Sequence, residues 1–102
     1  MTQTAQPTLI ARLTAEAVGT ALLVATVVGS GIMAQRLSPD DVGLQLLENA
    51  AATVGALIAL ILALGPVSGA HFNPVVSMVT RLFGGLSTRD TVLYSLVQIA
   101  GG

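Results

Sequence analysis

An all-α membrane protein is what this sequence predicts, and three observations carry the prediction. Of its 102 residues, 53% are hydrophobic and 9% charged, against roughly 45–50% and 25% in an ordinary soluble domain. Charge is absent from two long stretches, Ala17–Ala34 and Asn49–Gly65. Along both, small residues recur every four positions: Ala21, Ala25 and Gly29 on the first, Ala51, Gly55, Ala59 and Ala63 on the second. That spacing lets helices approach closely in lipid, which offers no hydrophobic drive for association.

The elements follow in order. Met1 to Ala11 is polar or small, holds Pro7, and reads as a short flexible tail. The first span covers about 13–34 and has Glu16 as its single charge; at ~1.5 Å per residue it crosses a ~30 Å hydrocarbon core. A cleaved signal peptide is the competing reading, because Arg12 precedes the apolar run, but the run is long and further apolar segments follow. Residues 35–48 form a loop with four of the nine charges and the turn sequence Pro39-Asp40-Asp41. The second span covers about 49–65, closed by Pro66.

From 66 to 83 the pattern departs from a plain helical hairpin. Val67 to Pro74 is uncharged and cannot stay helical through Asn73-Pro74. The apolar stretch after it, Pro74 to Phe83, is about 15 Å long, half the thickness of a bilayer core. A re-entrant loop followed by a half-helix is expected, ended by Gly84-Gly85. Ser87 and Asp90 have capping-box spacing and begin a third span, about 88–102. Its remaining length is too short to cross alone, so either the sequence is part of a longer protein or another chain completes the helix. Arg12, Arg81 and Arg89 fall on one side against Arg36 on the other, which puts the N-terminus in the cytoplasm by the positive-inside rule.

Composition also excludes function classes. Four basic and five acidic residues give a net charge of -1, which leaves no electrostatic footprint for nucleic acid. Without Cys, and with one His, no metal-ligand set is visible and no metal or other cofactor is expected. Thr26, Ser30 and Ser77 have no base at a useful spacing and read as interhelical hydrogen-bonding groups, so an enzyme is not expected. Arg81 reads as a solvated or headgroup charge at the end of the half-helix.

Asn73-Pro74 is the informative pair. Asn is a strong N-cap and Pro suits the first helical position. A helix end that follows a re-entrant loop lies near the bilayer midplane, where bare backbone is tolerated only against protein or a water-filled cavity. There the positive end of the helix dipole repels cations, the Asn73 amide can donate, and the carbonyls of Gly69, Ala70 and His71 can accept. Neutral hydrogen-bonding solutes fit this lining better than ions.

Ser68–Ser77, SGAHFNPVVS, resembles the SGAHxNPAVT signature of the major intrinsic protein family, the aquaporins and glycerol facilitators. Ala15-Glu16-Ala17-Val18-Gly19-Thr20 is similar to that family's first-helix A-E-x-x-G-T, and Tyr94, Gln98 and Gly101 to its Y-x-x-x-Q-x-x-G. The resemblance implies the family's first repeat: two full transmembrane helices, a re-entrant loop with a half-helix, and the start of a third helix. It makes Asn73 the pore asparagine, places His71 in the cytoplasmic vestibule, and makes Glu16 a buried brace for the loop, with Gln98 as further structural support. Pro74 is followed by Val75 where the family has Ala, a bulkier residue that would shift the half-helix. Thr53 falls at the second-helix filter position, where a small residue would widen the constriction. In this and in Ala25–Ala34 the chain resembles bacterial members associated with arsenic-resistance operons.

The function implied is a passive channel for small neutral solutes such as water and glycerol-like polyols, with undissociated arsenous acid a candidate. The alternative is a non-conducting scaffold or channel remnant held together by its small-residue faces. The expected partners are the lipid bilayer and a second repeat, or a second copy of the chain, in a homo-oligomer that family resemblance makes a tetramer. The expected location is the bacterial inner membrane.

Overall fold

The structure, a computed structural model, describes residues 6–102. It contains four helices: α1 (Leu9–Leu37), α2 (Val42–Ser68), α3 (Pro74–Leu82) and α4 (Thr88–Gly101). Helices α1 and α2 form an antiparallel hairpin, α4 packs on α1, and the short α3 packs on α4. The whole measures 54 × 31 × 22 Å.

Each helix starts where a polar side chain takes up an otherwise unpaired backbone N–H. Thr8 accepts from Ala11 N at 3.1 Å, Asp41 from Leu44 N at 2.9 Å, Asn73 from Val75 N at 2.8 Å and Ser87 from Asp90 N at 3.1 Å. The Ser87 cap is half of the expected box. The Asp90 carboxylate turns away from the cap and pairs with Arg12 at 2.8 Å and Arg89 at 3.2 Å.

Several expected boundaries are corrected. Leu9 to Ala11, read as tail, are the first residues of α1, because the Thr8 cap starts the helix there. Residues 1–5 of that tail lie outside the described residues. The loop expected over 35–48 contracts to Ser38–Asp41. Its charged flanks are helical: α1 continues to Leu37, and Val42 to Glu48 open α2. Two bonds hold this tight connection, Ser38 Oγ to Glu48 Oε1 at 2.9 Å and Gln45 Nε2 to the Ser38 carbonyl at 2.7 Å. Nor does Pro66 close α2. It costs one backbone bond near the helix end, and the helix stops only at Gly69, whose φ of 89° reverses the chain.

The small-residue stripes do not form the seam between α1 and α2. Ala21, Ala25, Ala51, Ala59 and Ala63 face outward, and a Cβ placed on Gly29 or Gly55 would meet nothing within 4 Å. A polar contact joins the two helices instead, with Asn49 Nδ2 donating to the Val27 carbonyl and to Ser30 Oγ, both at 2.9 Å. Thr26 bonds only within its own helix, to the Leu22 carbonyl.

Polarity is inverted relative to a water-soluble domain. The buried apolar side chains are Ala15, Ala34, Phe72 and Tyr94, while Glu16, Thr20, Ser68, Ser77, Asp90, Thr91 and Gln98 are buried as well. Outside, Leu62, Leu82 and Phe83 are 74–86% exposed. α1 and α2 are long and apolar enough to cross a bilayer, and an outer surface of this kind is stable only against lipid or further protein.

Candidate functional site

Between α2 and α3 the chain makes a turn, residues 69–73, whose shape is dictated by groups beneath it. Gly69 has φ 89°, and Ala70 and Phe72 are also left-handed at 53° and 55°. For residues with a Cβ this costs about 1–2 kcal/mol each. The offset comes from Glu16, a fully buried carboxylate. Its Oε2 accepts from His71 N at 3.1 Å and from Ser68 Oγ, and its Oε1 accepts from Phe72 N at 2.8 Å and Gln98 Nε2 at 2.7 Å. Hydrogen bonds to a charged group contribute roughly 1.5–3 kcal/mol each, so the two backbone bonds alone match the strain.

Two further contacts lock the turn. The Phe72 ring fills a notch over Gly19, where a Cβ would collide with it. Ser68 Oγ accepts from Ala70 N at 3.2 Å, while the Ser68 carbonyl accepts from the Tyr94 hydroxyl at 2.9 Å. Tyr94 is itself held by Arg12 Nε at 3.1 Å, and Arg12 by Asp90.

The N–H groups of Ala70, His71 and Phe72 are taken up by Ser68 Oγ and Glu16, but the carbonyls of the turn are not so occupied. Those of Gly69, Ala70 and His71 receive no hydrogen bond among the described residues. Asn73 Oδ1 is used on Val75 N, and the Asn73 amide nitrogen, at the exposed N-terminus of α3, has no partner among the described residues. The result is a row of bare acceptors leading to a donor. A cavity of about 500 Å³ adjoins it, with Arg12, Gly69, His71 and Tyr94 in its wall. His71 lies against Tyr94 with ring centroids 5.3 Å apart, and its Nδ1 is 2.9 Å from Ser77 Oγ.

Gly69, Ala70, His71, Asn73, Pro74, Glu16 and Gln98 are thus gathered at one locus. Val75, two residues beyond Asn73, is 65% exposed at the start of α3. Thr53 stands apart, about 24 Å along α2 from Gly69, with its hydroxyl donating to the Asn49 carbonyl at 2.9 Å. Arg81 is not free: its Nε donates to Thr88 Oγ1 at 2.9 Å and ties the end of α3 to α4.

Sequence reasoning did not single out Ser68, Tyr94, the Gly19–Phe72 lock or the Arg12–Asp90 pair. The signal for Ser68 was present, since a buried carboxylate in lipid needs donors and Ser68 opens the motif beside it; Tyr94 acts one step further out, on the Ser68 carbonyl. Among the described residues no group of three His, Asp or Glu side chains could hold a metal ion.

The family model described as Major intrinsic protein matches residues 3–102. The chain is 56% identical over 90 residues to the aquaglyceroporin AqpS of Rhizobium meliloti, a match covering 88% of this chain and 38% of that protein. It is 38% identical over 96 residues to a glycerol uptake facilitator protein of Pseudomonas aeruginosa, covering 93% of this chain and 33% of that one. Aquaporin-8 of Notomys alexis is 45% identical over 65 residues, covering 64% and 24%. The chain therefore spans well under half the length of these curated relatives. No solved structure matches.

Proposed function

The chain belongs to the major intrinsic protein family, and from that premise we propose that it supplies one half of a passive transmembrane pore for small neutral solutes. It is an integral membrane protein, with an apolar exterior suited to lipid. The observation that carries the reading is the turn 69–73, where three bare carbonyls lead to the free Asn73 amide at the N-terminus of α3. A solute with hydroxyl groups can donate to the carbonyls and accept from Asn73 as it passes. A cation meets the positive end of the α3 dipole, and an anion meets carbonyl oxygens. The reading requires no chemistry on the solute.

Water and glycerol-like polyols are the solutes favoured, supported by relatives named as an aquaglyceroporin and a glycerol uptake facilitator. Thr53 as a small filter residue extends the class to undissociated arsenous acid. The other half of the pore comes from a second repeat or a second copy of the chain, and the assembly is a homotetramer. The membrane is the bacterial inner one, with the N-terminus and the Arg12, Arg81 and Arg89 ends in the cytoplasm.

Stopped-flow light scattering on proteoliposomes under water, glycerol and arsenous acid gradients tests this. Permeability above that of protein-free vesicles is expected, and Asn73→Asp, which replaces the donor with a carboxylate, should abolish it. If neither the chain alone nor the chain reconstituted with a second repeat raises permeability, the reading fails.

A further inference from the structure

We propose that Ser77 and Gln98 hold the imidazole of His71 in the tautomer protonated at Nε2, so that this side chain offers the adjoining cavity a hydrogen-bond donor and not an acceptor. The assignment rests on hydrogen-bond geometry, and only its consequence for the solute depends on the pore reading above.

Gln98 Nε2 lies 2.7 Å from Glu16 Oε1, an oxygen that also accepts from Phe72 N. A carboxylate oxygen is an acceptor, so the Gln98 amide must present its nitrogen there and not its carbonyl. The same nitrogen lies 3.2 Å from Ser77 Oγ. Its two hydrogens are therefore both assigned, one to Glu16 and one to Ser77. Ser77 is fully buried, and its oxygen accepts from Gln98. Its single hydroxyl proton has one acceptor within reach among the described residues, His71 Nδ1 at 2.9 Å. A neutral imidazole carries one ring proton. With Nδ1 accepting from Ser77, that proton sits on Nε2.

Nε2 has no hydrogen-bond partner among the described residues, and it is not among the polar atoms buried there without one, which are Thr20 Oγ1 and Gln98 Oε1. His71 lines the cavity shared with Arg12, Gly69 and Tyr94, and its Nε2 lies on the Gly69 side, 3.0 Å from where a Cβ on that glycine would stand. With Gly69, whose carbonyl is bare, in the same wall, an acceptor and a donor stand together, which complements a hydroxyl group because a hydroxyl does both. Ammonium, which can only donate, gains nothing from Nε2–H. Gln98 acts here through Ser77 and is a positioning residue.

His71 is the one histidine in the sequence, so a chain labelled with ¹⁵N,¹³C-histidine in lipid bilayers reports it alone by solid-state NMR. The expected spectrum shows a neutral ring protonated at Nε2. Ser77→Ala removes the hydroxyl that holds Nδ1 as acceptor and should move the tautomer ratio about fivefold toward Nδ1–H, the value of one ordinary hydrogen bond. Ser77→Thr keeps the hydroxyl and should restore the original ratio. An Nδ1–H ring in the unaltered chain, or a ratio unmoved by Ser77→Ala, overturns the proposal. Vesicles that show no flux while the ring is protonated at Nε2 would overturn the pore reading and leave the tautomer standing.

Discussion

Glu16 lies 52–56 positions from the backbone turn it holds and 82 from Gln98, so groups remote in sequence meet on two oxygens. Glu16→Gln keeps one acceptor oxygen and sets an NH₂ against groups that also donate. Two donors lose their partner, at about 1–3 kcal/mol each, and unfolding in mixed micelles should show stability lower by about 2–5 kcal/mol with solute flux lost. Gly19→Ala drives a methyl into the Phe72 ring. Overpacking of this kind costs about 1–3 kcal/mol, and Phe72→Leu in the same chain should recover part of it, a coupling that a double-mutant cycle measures. The Asn73 cap was legible because capping is a local event, whereas the sequence puts the stop at Gly69 too early, at Pro66, because a proline near a helix end need not terminate it. The Gly19–Phe72 lock was not legible, since which helix face meets which ring depends on packing that no local pattern encodes.

At the scale of elements, the positions of the helices were legible and their ends were not. Hydropathy marks where lipid begins, whereas caps mark where the helix begins. In α1 and α2 these differ by up to seven residues, because the polar turns beyond the apolar stretch remain helical between Thr8 and Ser38 and from Asp41 onward. Short α3 was found by its Asn73-Pro74 start, and it ends at Leu82 with Phe83 as cap. Helix α4 docks on α1 where Gly101 lies against the backbone of Ala17 with no room for a Cβ. Gly101→Leu should separate the two helices, carrying Gln98 away from Glu16. Disulfide trapping between paired cysteines on α1 and α4 should then fall to background. Ser87→Ala is the milder change, costing α4 its cap at about 1 kcal/mol. It should leave the Arg12–Asp90 pair intact, because that carboxylate takes no part in the cap.

For the molecule as a whole, the tight connection at Ser38–Asp41 and the segment between α3 and α4 stand at opposite ends of the hairpin. The sequence contains no native cysteine, so single cysteines report cleanly. Asp40→Cys should react with an impermeant maleimide only from outside the cell, and Gly85→Cys only after the cytoplasmic side is opened. The inverted polarity was legible from composition, but the convergence of buried polar groups on one carboxylate was not. That convergence also sets an order of events during synthesis from the N-terminus. Glu16 enters the bilayer with the first helix, well before residues 68–72 have been made, and Gln98 follows later still. The turn therefore has its full set of partners only once residue 98 has been made, and any pause before then leaves a carboxylate in lipid waiting for them.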